Sequence, residues 1–291
     1  MTTIANQPHS DGMRFGQLRQ YWRQKFAENR IETAALDARL LLCAAAGVEQ
    51  AQLISKERDL VPSEIVARMA QFGERRLARE PVARILGRAE FYGRPFGVNK
   101  DTLVPRPETE LLVEHAIKSL PSGGRFVDLG TGTGCIAVSI LAERPDVSGL
   151  ATDIAAGALE MAAQNATAHG VDGRLDLKCG SWFDPVPTDQ RFDLIVSNPP
   201  YIAQSERADM NQEALDFDPE AALFAAHEGM AAYFEILAAA QNWLQPDGII
   251  LFEIGFQQTT RLQNAAENAG ATQVTFFKDL SGHNRVAQIS W

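Results

Sequence analysis

Apolar residues recur at helical spacing in the first third of the chain and as short uninterrupted runs in the rest. Phe15, Leu18, Trp22 and Phe26 fall three or four residues apart, the stripe of an amphipathic helix. Thr33 is placed to cap a second helix that Gly47 would end. Ser63, following Pro62, opens a third that carries Ile65, Met69, Phe72 and Leu77. These side chains are assigned to a core, and Arg68, Arg75, Arg76 and Arg79 to a solvated basic face. Between Gly87 and Pro107 the pattern gives way to Gly, Pro and aromatics, which predicts a β-hairpin or irregular connector. Pro105 and Pro107 exclude regular structure there and set the approach to a helix starting at Glu110.

From residue 125 onward, apolar runs alternate with helical patterns, the signature of a mostly parallel sheet covered on both faces. Seven strands are expected near 125–129, 149–153, 174–178, 192–197, 247–254, 272–277 and 284–290. Helices are expected near 134–143, 155–169, 228–243 and 257–269. Only Lys278 to His283 separates the last two strands, too little for a crossover helix, so they should pair antiparallel. The chain then divides into a helical domain (1–88), a hairpin and linker (89–109) and an α/β domain (110–291), with residues 1–13 a loose extension.

Charge sharpens this division. Residues 1–88 hold 14 Lys and Arg against 10 Asp and Glu, a net of +4; the remainder holds 13 against 27, a net of −14. So acidic a second part is a poor match for a polyanionic backbone, and direct nucleic-acid binding is not expected. No signal peptide is recognised, and the longest apolar stretch, Leu40 to Val48, is too short to span a bilayer. Cys43, Cys135 and Cys179 are scattered and odd in number, which implies a reducing, cytoplasmic setting. Neither they nor the five histidines show metal-ligand spacing, so no metal site is expected.

Two motifs carry chemistry. After the apolar Phe126-Val127-Asp128-Leu129 comes Gly130-Thr131-Gly132-Thr133-Gly134 and then a helix start, the pieces of a cofactor cradle. Cys135 stands where a dinucleotide fingerprint needs Gly or Ala, and the Lys-Ser/Thr ending of a P-loop is absent. No Lys or Arg lies between Phe126 and Glu143 to neutralise phosphates. A ligand without phosphate and with a sulfonium charge, S-adenosylmethionine, fits a glycine loop fronted by Asp128 better than NAD or ATP. Asp153, at the end of the next strand, is placed to accept ribose hydroxyls. The second motif, Asn198-Pro199-Pro200-Tyr201, follows the run Phe192 to Ser197. The Asn198 side-chain oxygen and the carbonyl beside Pro199 can each accept an N–H from a planar amino or amide group, and the prolines hold those acceptors fixed. Tyr201 offers a face for a flat group. Asp128, Asp153 and Asn198 all fall at C-terminal strand ends, so one crevice can collect them.

Taken together, the chain resembles the class I S-adenosylmethionine-dependent methyltransferases, and more narrowly the PrmC/HemK family of release factor glutamine methyltransferases. The resemblance runs from about residue 14 to the C-terminus. Beyond the two motifs it rests on Pro81 to Gly87 with Phe91-Tyr92-Gly93, Val104-Pro105-Arg106-Pro107-Glu108-Thr109-Glu110, Gly180-Ser181-Trp182-Phe183, and Glu253-Ile254-Gly255 with Gln257. It implies a helical partner-recognition domain ahead of a Rossmann-like seven-stranded catalytic domain. The implied reaction is methylation of the glutamine side-chain nitrogen in the Gly-Gly-Gln tripeptide of peptide-chain release factors. Residues Gly130 to Gly134 and Asp153 would then bind the cofactor, Trp182 would lie beside its adenine, and Asn198, Pro199, Pro200 and Tyr201 would take the glutamine. Arg106 and Glu108 are implied as neighbours of the site, with a salt bridge between them as the alternative. Three rival readings use the same residues: an adenine-N6 or guanine-N2 methyltransferase on nucleic acid, a non-catalytic cofactor-binding scaffold, and methylation of glutamine in some other protein.

Overall fold

The computed structural model describes residues 12–291. Its chain forms two compact units, one ending at Gly87 and one from Arg88 to Trp291. The first is helical: α1 (Phe15–Glu28), α2 (Ala34–Ala46), α3 (Gln50–Ser55), α4 (Ser63–Leu77) and α5 (Val82–Leu86). Phe15, Leu18, Trp22 and Phe26 are all buried, as their spacing requires. Gly47 closes α2 in the left-handed conformation, whereas the Thr33 side chain makes no capping bond. The buried stripe of α4 is Val66, Met69, Gly73 and Arg76. Gly73 lets the Trp22 ring approach so closely that a Cβ there would lie 2.2 Å from its Cζ3.

Arg76 therefore departs from the expected solvated face. It is buried, and its Nε donates to Asp37 Oδ2 at 2.7 Å, with side-chain exposures of 5% and 6%. Met13 also belongs to the folded unit, since its carbonyl accepts from the Val61 N–H at 2.8 Å. The rest of the expected extension, up to residue 11, lies outside the described residues.

The second unit opens with a hairpin, β1 (Arg88–Phe91) and β2 (Arg94–Gly97). Its two-residue turn, Tyr92-Gly93, has φ of 51° and 67°, the left-handed pair that matches strand twist. A single 3-10 turn, Pro107–Thr109, is the only regular structure between the hairpin and α6 (Glu110–Ser119). There follow β3 (Arg125–Leu129), α7 (Cys135–Glu143), β4 (Ser148–Asp153), α8 (Ala156–Ala168), β5 (Leu175–Cys179) and β6 (Phe192–Ser197). Three short helical turns, α9 (Gln212–Phe217), α10 (Glu220–Leu223) and α11 (Ala226–Gly229), lead to α12 (Ala231–Ala240). The unit closes with β7 (Leu244–Glu253), α13 (Thr259–Asn268), β8 (Gln273–Lys278) and β9 (Asn284–Ser290). α12 starts later than the sequence suggested because His227 and Glu228 just before it are left-handed.

The seven strands form one sheet in the order β5-β4-β3-β6-β7-β9-β8. β9 is the one reversed strand and pairs antiparallel with both β7 and β8, the latter as expected. Phe126, Leu194 and Val196 face a core built with α6 and α7; Val127, Leu129 and Ile195 face the opposite core with α12 and α13. Burial on both faces explains why these strands read as unbroken apolar runs. Chain order reverses between β3 and β6, so the C-terminal ends of these two strands open the crevice where open α/β sheets bind ligands. The glycine loop leaves one and Asn198 leaves the other. Among the described residues, no helix is long and apolar enough to cross a membrane.

Candidate active site

A cavity of about 360 Å³ occupies this crevice. The glycine loop, Asp153, Ile154, Trp182, Arg106 and Asn198 all contribute to its wall, and its volume is typical of a small-molecule site. Gly132 adopts a φ of 55°, which a side chain rarely tolerates, and this aims its N–H at Asp153 Oδ2, 2.8 Å away. Asp153 Oδ1 accepts from the Ala155 N–H at 2.9 Å. Asp153 thus braces the loop, and each carboxylate oxygen retains lone-pair capacity for a ligand hydroxyl. The carbonyl of Thr133 accepts from Asn165 Nδ2 at 2.8 Å. The same amide exchanges bonds of 2.7 and 3.1 Å with the backbone of Gly97 in β2. Asn165, a buried polar residue on α8, therefore ties the cradle to the hairpin.

Asp128 stands elsewhere than expected. It is fully buried behind the loop, absent from the cavity wall, and accepts from the Thr131 hydroxyl at 2.6 Å. Burial pushes its pKa up to about 7, against the lowering effect of Thr131. Its position one residue before the end of β3 turns the side chain into the layer beneath the loop instead of toward the mouth.

Trp182 lies on the wall with a φ of 40°, its Nε1 donating to Glu235 Oε2 at 2.7 Å. Ile154 is 64% exposed and also lines the cavity. A large exposed apolar side chain beside an indole ring and a carboxylate makes a slot for a flat heterocycle with a hydroxylated sugar. The donor set fits an S-adenosyl group: apolar side chains, a carboxylate with free lone pairs, loop backbone, and no cluster of cations for phosphate. Arg106 is the cation on the wall. It pairs with buried Asp218 at 2.7 Å, so the mutual bridge with Glu108 does not form. This pair ties the connector ahead of α6 to the segment that follows the Asn-Pro-Pro-Tyr motif.

Within that motif the structure brings Asn198 and Pro200 to the cavity wall. Pro199 is buried, and Tyr201 lies outside the lining, packed against Gly255. Burial raises the Tyr201 pKa above its usual value, so the phenol stays neutral. The Tyr201 carbonyl is held by Gln258 Nε2 at 2.8 Å, and a Cβ on Gly229 would lie 2.1 Å from that oxygen. Gln258, not the exposed Gln257, is the glutamine that supports the motif. Asn198 Nδ2 donates to Thr109 Oγ1 at 3.2 Å. Asn165, Thr109, Gln258 and Glu253 were not assigned site roles from sequence. Only the buried placement of polar residues on apolar elements could have marked them. Among the described residues, no group of three or more His, Cys, Asp or Glu is arranged to hold a metal ion.

Residues 17–87 match the PrmC N-terminal domain family, and residues 107–221 match the methyltransferase small domain family. The chain is 44% identical over 262 residues to a release factor glutamine methyltransferase of Cereibacter sphaeroides, covering 90% of this chain and 93% of that protein. It is 40% identical over 252 residues to one from Neisseria gonorrhoeae, covering 86% and 91%. Among solved structures it is similar to a methyltransferase from Pyrococcus furiosus, with a TM-score of 0.52 at 18% identity over 76% of this chain and 97% of that one. That likeness speaks for the fold.

Proposed function

Because the chain belongs to the release factor glutamine methyltransferase family, we propose that it methylates the side-chain amide nitrogen of the glutamine in the Gly-Gly-Gln tripeptide of peptide-chain release factors. The observation that carries this reading is Asn198 on the wall of the same cavity that the glycine loop lines. Its Nδ2 is engaged by Thr109, which leaves Oδ1 for an incoming N–H.

An amide nitrogen is a poor nucleophile, because its lone pair is delocalised into the carbonyl. Alkylating it needs in-line placement at ~3 to 3.5 Å. Asn198 Oδ1 and the Pro199 carbonyl would each accept one N–H of the substrate amide and turn its lone pair toward the glycine loop. As the nitrogen bonds carbon it gains positive charge, which the same two acceptors stabilise more than they stabilise the ground state. The proton released is very acidic and needs no dedicated base. S-adenosylmethionine, when bound, would supply an electrophilic methyl group on sulfur, and the sulfur would leave as a neutral thioether when that carbon–sulfur bond breaks. Gly130 to Gly134 would hold it through backbone contacts, Asp153 through its ribose hydroxyls, and Trp182 with Ile154 through the adenine. Asn198 faces both partners. Tyr201, held by Gln258, would border the glutamine from outside the main cavity.

The helical unit would recognise the release factor, and the reaction would take place in the cytoplasm, where three free cysteines fit a reducing milieu. Incubating the protein with labelled S-adenosylmethionine and a purified release factor, and in parallel with DNA and RNA, tests the reading. Transfer to the release factor alone supports it; transfer to nucleic acid alone refutes it.

A further inference from the structure

On the glutamine reading above, Asn198 works only if its amide oxygen, not its nitrogen, faces the cavity. The two ends of an amide have nearly the same shape, so packing alone does not choose between them. The acceptor that meets Nδ2 is a hydroxyl, Thr109 Oγ1, which can donate as readily as it accepts. Something must take the hydroxyl proton for Thr109 to offer Asn198 a lone pair.

Glu253 is in the position to do so. β6 and β7 run parallel with Ser197 opposite Phe252, so the next residues along, Asn198 and Glu253, leave the sheet side by side. Glu253 is 3% exposed, and the Thr109 and Asn198 side chains are its polar neighbours. Its Oε2 has no hydrogen-bond partner among the described residues. An ionised carboxylate only accepts. Facing Thr109 it draws the hydroxyl proton, so that Oγ1 presents a lone pair to Asn198; facing Asn198 directly it tolerates only the NH₂ end. Both effects turn Oδ1 toward the cavity. We propose that Glu253, acting partly through Thr109, is the positioning residue that fixes which end of the Asn198 amide meets the substrate. Glu253 itself is not among the residues that line the cavity.

The charge state matters, because a protonated Glu253 can donate and so stabilise the reversed amide. Groups facing it are Arg285 of β9, Glu108 ahead of α6, Tyr201 after β6, Tyr233 of α12 and Cys135 at the start of α7. Tyr201, Tyr233 and Cys135 are pushed upward by burial and stay neutral near neutral pH. For Glu253, desolvation outweighs the lowering effects of Thr109, Arg285 and Asn198 and raises its pKa to about 7. Turnover should therefore rise with pH through about 7, as Glu253 becomes an acceptor only. Asp128 titrates in the same range, so the variants rather than the parent profile identify the group.

The test compares Glu253→Gln, Thr109→Val and Thr109→Ser with the parent, measuring kcat on a release factor across pH 6 to 9 and S-adenosylmethionine affinity by calorimetry. Glu253→Gln should lower kcat about tenfold or more and abolish its own part of the rising limb, with cofactor Kd within about threefold. Thr109→Val should lower kcat similarly, and Thr109→Ser should restore it to within about threefold of the parent. A Glu253→Gln enzyme with parental kcat and an unchanged pH limb overturns the proposal. So does a Thr109→Val enzyme with parental kcat, which settles the matter even if Glu253→Gln fails to fold. A parent enzyme that methylates no glutamine removes the underlying reading instead, and this proposal with it.

Discussion

Asp153 links the two functions of the glycine loop, and replacing it with alanine separates them. In the protein alone its two oxygens accept from the Gly132 and Ala155 N–H groups at 2.8 and 2.9 Å. Hydrogen bonds to a charged partner contribute about 1.5 to 3 kcal/mol each. Asp153 is only half-buried, and water can replace part of what is lost, so the substitution should cost about 1 to 2 kcal/mol of stability. If the same carboxylate also takes both ribose hydroxyls, two further charge-assisted bonds vanish from the complex. At about 1.5 kcal/mol each that is about 3 kcal/mol, or roughly a hundredfold in Kd. Calorimetric titration with S-adenosylmethionine reads the second quantity, and denaturant unfolding without ligand reads the first. Asp153→Asn keeps one acceptor but turns an NH₂ toward a backbone donor, so its affinity should fall between parent and alanine variant. A Kd for Asp153→Ala within threefold of the parent, beside a clear stability loss, would show that Asp153 braces the loop and does not hold the ribose.

Other substitutions address the motif and the helical unit. Asn198→Ala should reduce kcat by at least about a hundredfold while leaving cofactor Kd nearly unchanged, and a variant keeping half of parental kcat would contradict the assigned role. Asn198→Asp offers acceptors but sets a negative charge beside the substrate acyl oxygen, so a large kcat loss should appear in the same assay. Asp37→Asn neutralises the buried carboxylate 2.7 Å from Arg76 Nε and should cost ~1 to 3 kcal/mol in denaturant unfolding; unchanged stability would mean that this pair contributes nothing to the helical unit. Gly73→Ala forces a methyl against the Trp22 ring and should cost ~1 to 3 kcal/mol, with cofactor Kd unmoved. A Gly73→Ala protein as stable as its parent would show that α1 and α4 can move apart.

Much of the fold was legible because burial on both faces makes each parallel strand a short apolar run bounded by turn residues, as in Phe192 to Ser197 and Phe126 to Leu129. The site was legible as far as it is local: a glycine loop after one strand and Asn-Pro-Pro-Tyr after another, joined by the rule that ligands sit at strand C-termini. What escaped depends on contacts between distant residues. Arg106 meets Asp218, 112 positions away, instead of Glu108, two positions away, because the segment after β6 folds back to the cavity wall, where Pro219, Ala221 and Ala222 also lie. Glu253 reaches Asn198 only through the register of β6 and β7, and no local pattern announces it. The placement of Asp128 hinged on which way one side chain leaves a strand end. Arg76 was readable in principle: Val66, Met69, Gly73 and Arg76 follow a 3-4-3 spacing, but Gly73 and Arg76 are not apolar, and the larger side chains Ile65, Met69, Phe72 and Leu77 drew the assignment to their own face. Gln257 and Gln258 differ by one position, and only the geometry of the turn before α13 decides which points inward.

On the proposed function, two fixed oxygens at residues 198 and 199 present a glutamine amide to the methyl donor. Fragmentation mass spectrometry of the Gly-Gly-Gln peptide from a release factor, treated with the parent enzyme or with Asn198→Ala, tests it most directly. One added methyl on the glutamine side-chain nitrogen is expected with the parent and none with the variant. A methyl on any other residue, or an unmodified glutamine under conditions where the cofactor is consumed, would contradict it.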